Sequence, residues 1–543
     1  MQSVIEKTRK FLKDNSIDYL LVNSTNEFLV EYSKLEENAR FKLTNFSGST
    51  GDAVISKDKI FLFVDGRYHE QADLEVDKDI VDVVKMDIGE SFFSCLEKKL
   101  SHDSTLAICS KKNSIARIEI LNSKLKQKNI KIRLIDFDPV LENKPQNILK
   151  KAEQISKNIS GISADEKFLK ISASLKKSQA YLITNLEEVS YLCNLRDFST
   201  QFSSKIEGKC LITKEKAILF SNYESIKIGE KFEMQPLENF ENYTSRSKSK
   251  FFTDKTSITA FDYSLIKNRT LILKENIVKN LKAKKTNSEI NHLKKCFEKT
   301  DKAILALRDF IIENENLSEY DISKKLEENF YKFGAKSLSF KSIVAKDKNS
   351  ALAHYSKDSK TEIIKDGSVV LIDCGAYFEG GYATDCTRVF VKGTALKWQK
   401  EVYTAVLKGF LKAFRKKITK NTTGYMLDNS ARKLLERIAP KGFVFSHSLG
   451  HGIGINVHEA PPSLSPSPLA KTIIEKNMCF TIEPGLYNKD FGGVRLENSC
   501  YMEEKDGQKF IKSFSNMCFE KNLIDYDMLT KVEKKQLENF KVL

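Results

Sequence analysis

The sequence predicts an α/β protein, with α+β character in its last part. Two short-stranded α/β segments stand in series, followed by a larger region of long helices and glycine-punctuated strands. Three features carry that expectation. The 543 residues exceed one ordinary domain and suggest about three or four at roughly 150 residues each. An outline of apolar strand, polar turn and strand pair occurs twice. From Thr286 onward the apolar residues recur with long helical periodicity.

In chain order, Met1 to Leu12 reads as an amphipathic helix with charges throughout. Ile17-Asp18-Tyr19-Leu20-Leu21-Val22 is a short apolar strand, and Asp52–Ile55 with Ile60–Val64 reads as a strand pair. Gln179–Ile183, then Gly208–Ile212 with Ala217–Phe220, repeats the outline, as an old duplication would. The first segment closes near Leu141 to Pro145, and the second runs to the lysine-rich Leu281-Lys282-Ala283-Lys284-Lys285. Expected domains are therefore 1–142, 143–285 and 286–543. In the third, Ile290, Leu293, Phe297, Ile304, Leu307 and Ile311 keep helical spacing.

Composition excludes several classes. With 41% hydrophobic and 30% charged residues, the chain is globular, neither collagen-like nor wholly disordered. No apolar run nears the length of a membrane span, and the first residues lack the apolar core of a secretory signal. A cytoplasmic protein without membrane attachment is expected. The net charge of +16 comes from 75 Lys and only 14 Arg, scattered among Asp and Glu, so no nucleic-acid partner is expected. The ten Cys form no Cys-x-x-Cys pair and read as buried thiols of a reducing compartment.

The chemistry lies in the third region. Val369–Cys374 is an apolar strand whose end carries Asp373, and the chain returns through Gly380-Gly381 to Asp385. A hairpin would set the two carboxylates side by side, where each resists ionising beside the other unless a divalent cation joins them. Alone, each Asp could equally be a turn former. His447, His451 and His458 fall within twelve residues, interleaved with Gly. Glu483 ends one strand and Glu497 sits in apolar alternation on another, places costly for an acid unless it is paired or coordinated. Four carboxylates and one imidazole make an oxygen-rich set suited to two close divalent ions such as Mn²⁺.

The strings Asp373-Cys374-Gly375-Ala376, Thr384-Asp385-Cys386-Thr387-Arg388, Gly450-His451-Gly452-Ile453-Gly454, Val457-His458-Glu459, Glu483-Pro484-Gly485 and Arg495-Leu496-Glu497-Asn498 resemble the pita-bread metallopeptidases of family M24. Within that family the chain is similar to the long, three-domain Xaa-Pro aminopeptidases. Asn45–Gly51 with Val64–Tyr68 resembles their first creatinase-like domain, and Asn185–Arg196 resembles the second. Ser339-Phe340 through Ala353-His354-Tyr355 resembles the approach to the catalytic site, and Ile524-Asp525-Tyr526 the long-form tail.

The resemblance implies a homodimeric hydrolase that frees the N-terminal residue of peptides with proline second. In such an enzyme, a hydroxide shared by two Mn²⁺ ions (Zn²⁺ or Co²⁺ as alternatives) attacks the carbonyl. Asp385 and Glu497 would bridge the ions, Asp373 would complete one, and His451 and Glu483 the other. It further implies catalytic roles for His354, His458 and His447. Substrate contacts would fall to Arg67, His354, His458, Arg495 and Tyr487. The Asp373–Asp385 spacing of twelve is one longer than the family's usual pattern, and a bulge near Gly380-Gly381 would absorb it. An Xaa-Pro dipeptidase is the nearest rival. Methionine aminopeptidase fits less well, because two domains precede the catalytic region. A metal-free binding protein of the same fold is disfavoured by the full ligand set.

Overall fold

Alternating apolar residues on short strands need a cover on each face, and the first sheet has one on each side. In this computed structural model, which describes residues 1–33, 35–87, 89–141 and 149–543, the strands are β1 (Tyr19–Asn23), β2 (Asp52–Ser56), β3 (Ile60–Val64), β4 (Val81–Lys85), β5 (Thr105–Cys109) and β6 (Lys131–Ile135). Leu20, Val22, Ile55 and Leu62 face one core with Ile5 and Leu12 of the N-terminal helix Gln2–Asp14. Leu21, Val54, Phe61 and Phe63 face the other, against Leu96, Leu121 and Leu125 of two further helices. The period of two thus divides each strand between two helical layers.

The sheet order is β4-β3-β2-β1-β5-β6. The second segment gives β7 (Gln179–Ile183), β8 (Gly208–Ile212), β9 (Ala217–Ser221), β10 (Phe232–Gln235) and β11 (Lys250–Phe252), in the order β10-β9-β8-β7-β11. Pairing senses agree strand for strand. The three strands from β1 to β3, like β7 to β9, are antiparallel neighbours, and the flanking strands join in parallel. The repeated outline in the sequence is therefore a repeated topology, with β6 added to the first copy.

Two compact units divide the chain. One comprises Met1–Gln154, Ser163–Gln201 and Lys205–Val278, the other Ile155–Ile162, Phe202–Ser204 and Lys279–Leu543. The expected boundary at 142/143 lies outside the described residues. Among the described residues no helix is long and apolar enough to cross a membrane, and all ten Cys are buried free thiols.

The second unit is built on antiparallel sheets: β12 (Ile343–Lys346), β13 (Val369–Cys374) and β14 (Cys386–Val391); β15 (Cys479–Ile482) with β18 (Asn498–Lys505) and β19 (Gln508–Ser513); and the hairpin of β16 (Gly485–Asn488) and β17 (Gly492–Arg495). Val370 and Ile372 pack against helices α1 (Asn287–Glu313) and α2 (Glu319–Lys332). Leu371 and Val389 face the opposite core with α3 (Lys397–Phe414) and α4 (Gly424–Ile438). Asp373 follows Leu371 on that second face, at the end of the apolar row.

The hairpin carrying the two aspartates departs from expectation. Asp373 pairs with Thr387 and Cys374 with Cys386, while the Tyr377–Ala383 bridge keeps the same register. There is no bulge. The turn itself absorbs the length, with Gly380 and Gly381 both in the left-handed region (φ 85° and 64°). Asp385 consequently stands two residues from the partner of Asp373, diagonal to it and on the same face.

Candidate metal centre

Three strand ends and one loop bring the expected ligands together. Asp373 is next to last in β13, Asp385 precedes β14, Glu483 follows β15, and Glu497 lies between β17 and β18. Backbone bonds lock these ends: Glu497 N donates to Thr387 O at 3.2 Å and Glu483 N to Leu449 O at 2.8 Å. The second bond draws the histidine loop beside β15. There, His451 Nε2 lies 3.5 Å from both Asp385 Oδ2 and Glu483 Oε1. One ligand atom each of Asp385, His451 and Glu497 falls within 4.8 Å of the others.

The donor chemistry fits divalent cations. His451 Nδ1 is 3.0 Å from Gly452 O, an acceptor, so Nδ1 donates to it and Nε2 is the ring atom turned toward the carboxylates. Asp373 Oδ1 and Glu497 Oε1 are buried and, among the described residues, have no hydrogen-bonding partner. Burial, reinforced by repulsion from Glu497, Asp373 and Glu483, pushes the Asp385 carboxyl well above its ordinary range. Burial and repulsion from Glu483 and Asp373 do the same to Glu497. Such acids carry their full charge only when a cation joins them.

These shifts set a pH dependence. In the metal-free protein a carboxyl whose folded pKa is raised holds its proton longer than in the unfolded chain. Stability then falls as pH rises from the ordinary carboxylate range through the folded value. A cation binding the ionised acids must expel those protons. Metal affinity should therefore rise with pH, and titration calorimetry in buffers of different ionisation enthalpy should detect net proton release. Equal heats in all buffers would contradict the shifts.

Arg495, 3% exposed, ties the acids to the neighbouring polar groups. Its Nη2 donates to Asp373 Oδ2 at 2.6 Å, Nη1 to the Tyr487 hydroxyl at 2.7 Å, and Nε to Thr387 Oγ1 at 3.2 Å. Thr387 Oγ1 in turn donates to Glu497 Oε2 at 2.8 Å. The Tyr487 hydroxyl is 2.9 Å from His447 Nε2, while His447 Nδ1 lies 2.8 Å from Ser448 O. Burial pushes the Tyr487 phenol up to about 12, with the Arg495 charge opposing. Tyr487 therefore stays protonated near neutral pH and donates to His447. The His458 ring meets the His451 ring edge-on, centroids 4.6 Å apart.

His354 is half-buried on the loop ahead of Tyr355. Arg67 belongs to the first unit, where its Nε and Nη2 fork onto Asp65 Oδ1 and Oδ2 at 2.9 and 2.8 Å and Nη2 reaches Thr50 Oγ1 at 3.2 Å.

Two supporting residues escaped sequence reasoning. Thr387 stands two residues after Asp385, on its face of the strand, so period-two spacing could have marked it. Glu319 gave no local signal. Fully buried, it accepts from the Tyr355 hydroxyl at 2.6 Å, Lys346 N at 2.6 Å, Asn349 Nδ2 at 2.9 Å and Ser359 N at 2.9 Å. It thereby anchors the loop that bears His354.

Comparison with known proteins places this geometry. The Metallopeptidase family M24 profile matches residues 291–504, and Creatinase/Prolidase N-terminal domain profiles match 5–143 and 143–289. Xaa-Pro aminopeptidase 1 of Dictyostelium discoideum is 28% identical, covering 97% of this chain and 90% of that protein. A probable Xaa-Pro aminopeptidase P of Laccaria bicolor is 27% identical, covering 99% and 88%. The crystal structure of an X-prolyl aminopeptidase from Caenorhabditis elegans, described as a cytosolic enzyme with a di-nuclear active site, shares the fold. Its TM-score is 0.91 at 21% identity, over 99% of this chain and 94% of that one. Residues 291–504 are thus a metallopeptidase family M24 domain, and two creatinase/prolidase-type N-terminal domains stand ahead of it.

Proposed function

We propose that the protein is a metallo-aminopeptidase that releases the N-terminal residue from peptides with proline second. Its catalytic domain would be 286–543, behind creatinase-like domains 1–142 and 143–285. The carrying observation is the convergence of Asp385, His451 and Glu497 beside Asp373 and Glu483, with two buried carboxylate oxygens that lack a partner among the described residues. Similarity to Xaa-Pro aminopeptidases over 97% and 99% of the chain supports the substrate class.

Asp373, Asp385, His451, Glu483 and Glu497 would hold two divalent ions, best Mn²⁺ for so oxygen-rich a set. Such ions supply Lewis-acid polarisation of the scissile carbonyl and acidify a water at neutral pH. The protein's own groups do the rest. Arg495 holds Asp373 and, through Thr387, Glu497 in their places. His354 or His458 would donate to the developing oxyanion or hand the leaving proline nitrogen its proton as the C–N bond breaks. Tyr487 and His447 form a hydrogen-bonded pair beside Arg495 that would line a pocket for the proline ring. An Xaa-Pro bond has no N–H to offer, so recognition falls on the ring and on the free amine.

The test is hydrolysis of Xaa-Pro, Xaa-Pro-Yaa-Zaa and Xaa-Ala-Yaa-Zaa peptides by chelated protein with Mn²⁺ added back. Extended Xaa-Pro peptides should be cut at least as well as the dipeptide, and Xaa-Ala peptides scarcely. Cleavage confined to dipeptides would make the protein a dipeptidase, and no metal uptake would make it a binding protein.

The same assay tests Arg67, whose Nε and Nη2 are held by Asp65 and Thr50, so that Nη1 would be the donor to peptide carbonyls. Arg67→Ala should remove roughly 1.5–3 kcal/mol of charge-assisted bonding. That lowers kcat/KM for tetrapeptides about tenfold to a hundredfold and for dipeptides less. A fall in melting temperature with unchanged kcat/KM would make Arg67 structural. The cytoplasm is the proposed location, in keeping with the cytosolic relative. A homodimer of 62.0 kDa chains is the proposed assembly, checked by light scattering.

A further inference from the structure

The histidine loop closes on a buried charge cluster for which the chemistry above has no use. Glu459 follows His458 directly. Its carboxylate is 1% exposed, and Lys285 Nζ donates to Oε1 at 2.5 Å while Lys282 Nζ lies 3.3 Å from Oε2. Both lysines are as buried as the acid, and Lys285 Nζ also donates to Lys282 O at 2.9 Å. They sit at and just beyond the end of helix Ile277–Ala283. Burial would raise the Glu459 carboxyl, but the two ammonium groups outweigh it and hold it down at about 2.

The same residue ties the loop to itself. Glu459 N donates to Gly452 O at 2.8 Å, and Ile455 N donates to Glu459 Oε2 at 2.8 Å. Asn456 Nδ2 donates to His458 O at 3.1 Å. A Cβ on Gly454 would stand 2.4 Å from Glu459 Oε1, and one on Gly452 1.9 Å from Glu459 O. The two glycines leave room for the Glu459 side chain and backbone to cross the loop. Both ends of that loop carry site imidazoles, His451 and His458, whose rings meet at 4.6 Å.

Stability alone does not explain three charges placed here, because apolar residues of similar volume commonly serve a buried position as well or better. What the cluster does supply is a fixed loop end. We propose that Glu459, clamped by Lys285 and Lys282, is a positioning residue that sets the His458 imidazole against His451 for the peptidase reaction. The inference rests on the peptidase reading.

The test compares Glu459→Asp, which keeps the charge and shortens its reach, with Lys285→Met, which leaves the neutral Glu459–Lys282 pair, and with Lys285→Arg as the charge-conserving control. Metal content, melting temperature, kcat and KM on an Xaa-Pro-Yaa-Zaa peptide are measured for each. The ring ¹H–¹³C resonance of His458 is followed in histidine-labelled full-length protein. Seven His keep that spectrum simple, and His458→Asn assigns the signal.

Lys285→Met and Glu459→Asp should keep their metal and move the His458 resonance. They should lose about tenfold to a hundredfold in kcat, the scale of a roughly 1 Å misplacement, with KM changed less than about twofold. Lys285→Arg should restore most of the rate. An unmoved His458 resonance with wild-type kcat would overturn the proposal. So would a rate loss that follows metal content or folded fraction. If wild-type protein cleaves no Xaa-Pro peptide, the peptidase reading fails instead, and the His458 resonance still decides whether the clamp positions the ring.

Discussion

Replacing Asp385 by Asn should reduce turnover to below about a thousandth of wild type, some 4 kcal/mol of lost transition-state stabilisation at 1.36 kcal/mol per tenfold. The amide removes one negative charge and one shared oxygen from a set in which Asp385 and Glu483 both lie 3.5 Å from His451 Nε2. It also relieves the repulsion among Asp385, Glu497, Asp373 and Glu483 that pushes two of these carboxyls upward. The metal-free variant should therefore be no less stable than metal-free wild type, even as its metal content collapses. Elemental analysis, calorimetry under chelation and peptide turnover separate these effects. Normal turnover with normal metal content would falsify the assignment of Asp385. Glu483→Gln should behave alike, since Glu483 shares His451 Nε2 with Asp385.

The second large effect is expected at Arg495. In Arg495→Met, Asp373 Oδ2 loses a cation at 2.6 Å in a site where both groups are nearly inaccessible. Breaking such a pair from one side costs about 3–5 kcal/mol, because the remaining charge stays buried. Metal stabilises wild type and variant alike, by about 2.7 kcal/mol at a hundred times the dissociation constant. The urea midpoint of the variant should therefore fall sharply below that of wild type in chelator, and Mn²⁺ should raise both. The loss of bonds to Tyr487 and Thr387 should also depress kcat in the loaded protein. An unchanged midpoint in chelator would mean that Arg495 does not hold Asp373.

The acids of the centre were legible in one dimension because a carboxylate at the end of an apolar strand is costly unless something pairs or coordinates it. That rule marks Asp373, Asp385, Glu483 and Glu497 wherever their strands lie. The doubled α/β outline was legible for a similar reason, since period-two apolar runs declare strands covered on both faces. Strand order was not. That β1 to β5 and β7 to β11 share one topology depends on pairings between segments far apart in the chain.

Residue identity along the chain thus determined which groups carry the chemistry and which segments form strands and helices. Tertiary structure decided what those groups face. The extra residue between Asp373 and Asp385 went into a left-handed glycine turn because the register beyond Cys374 stayed unbroken. Glu319 became the anchor of the His354 loop, and Lys285 met Glu459 across 174 residues. Local pattern reports how a side chain alternates between core and solvent. It holds no record of which distant partner will offset a buried charge, because that balance exists only once the chain has folded and water has been excluded.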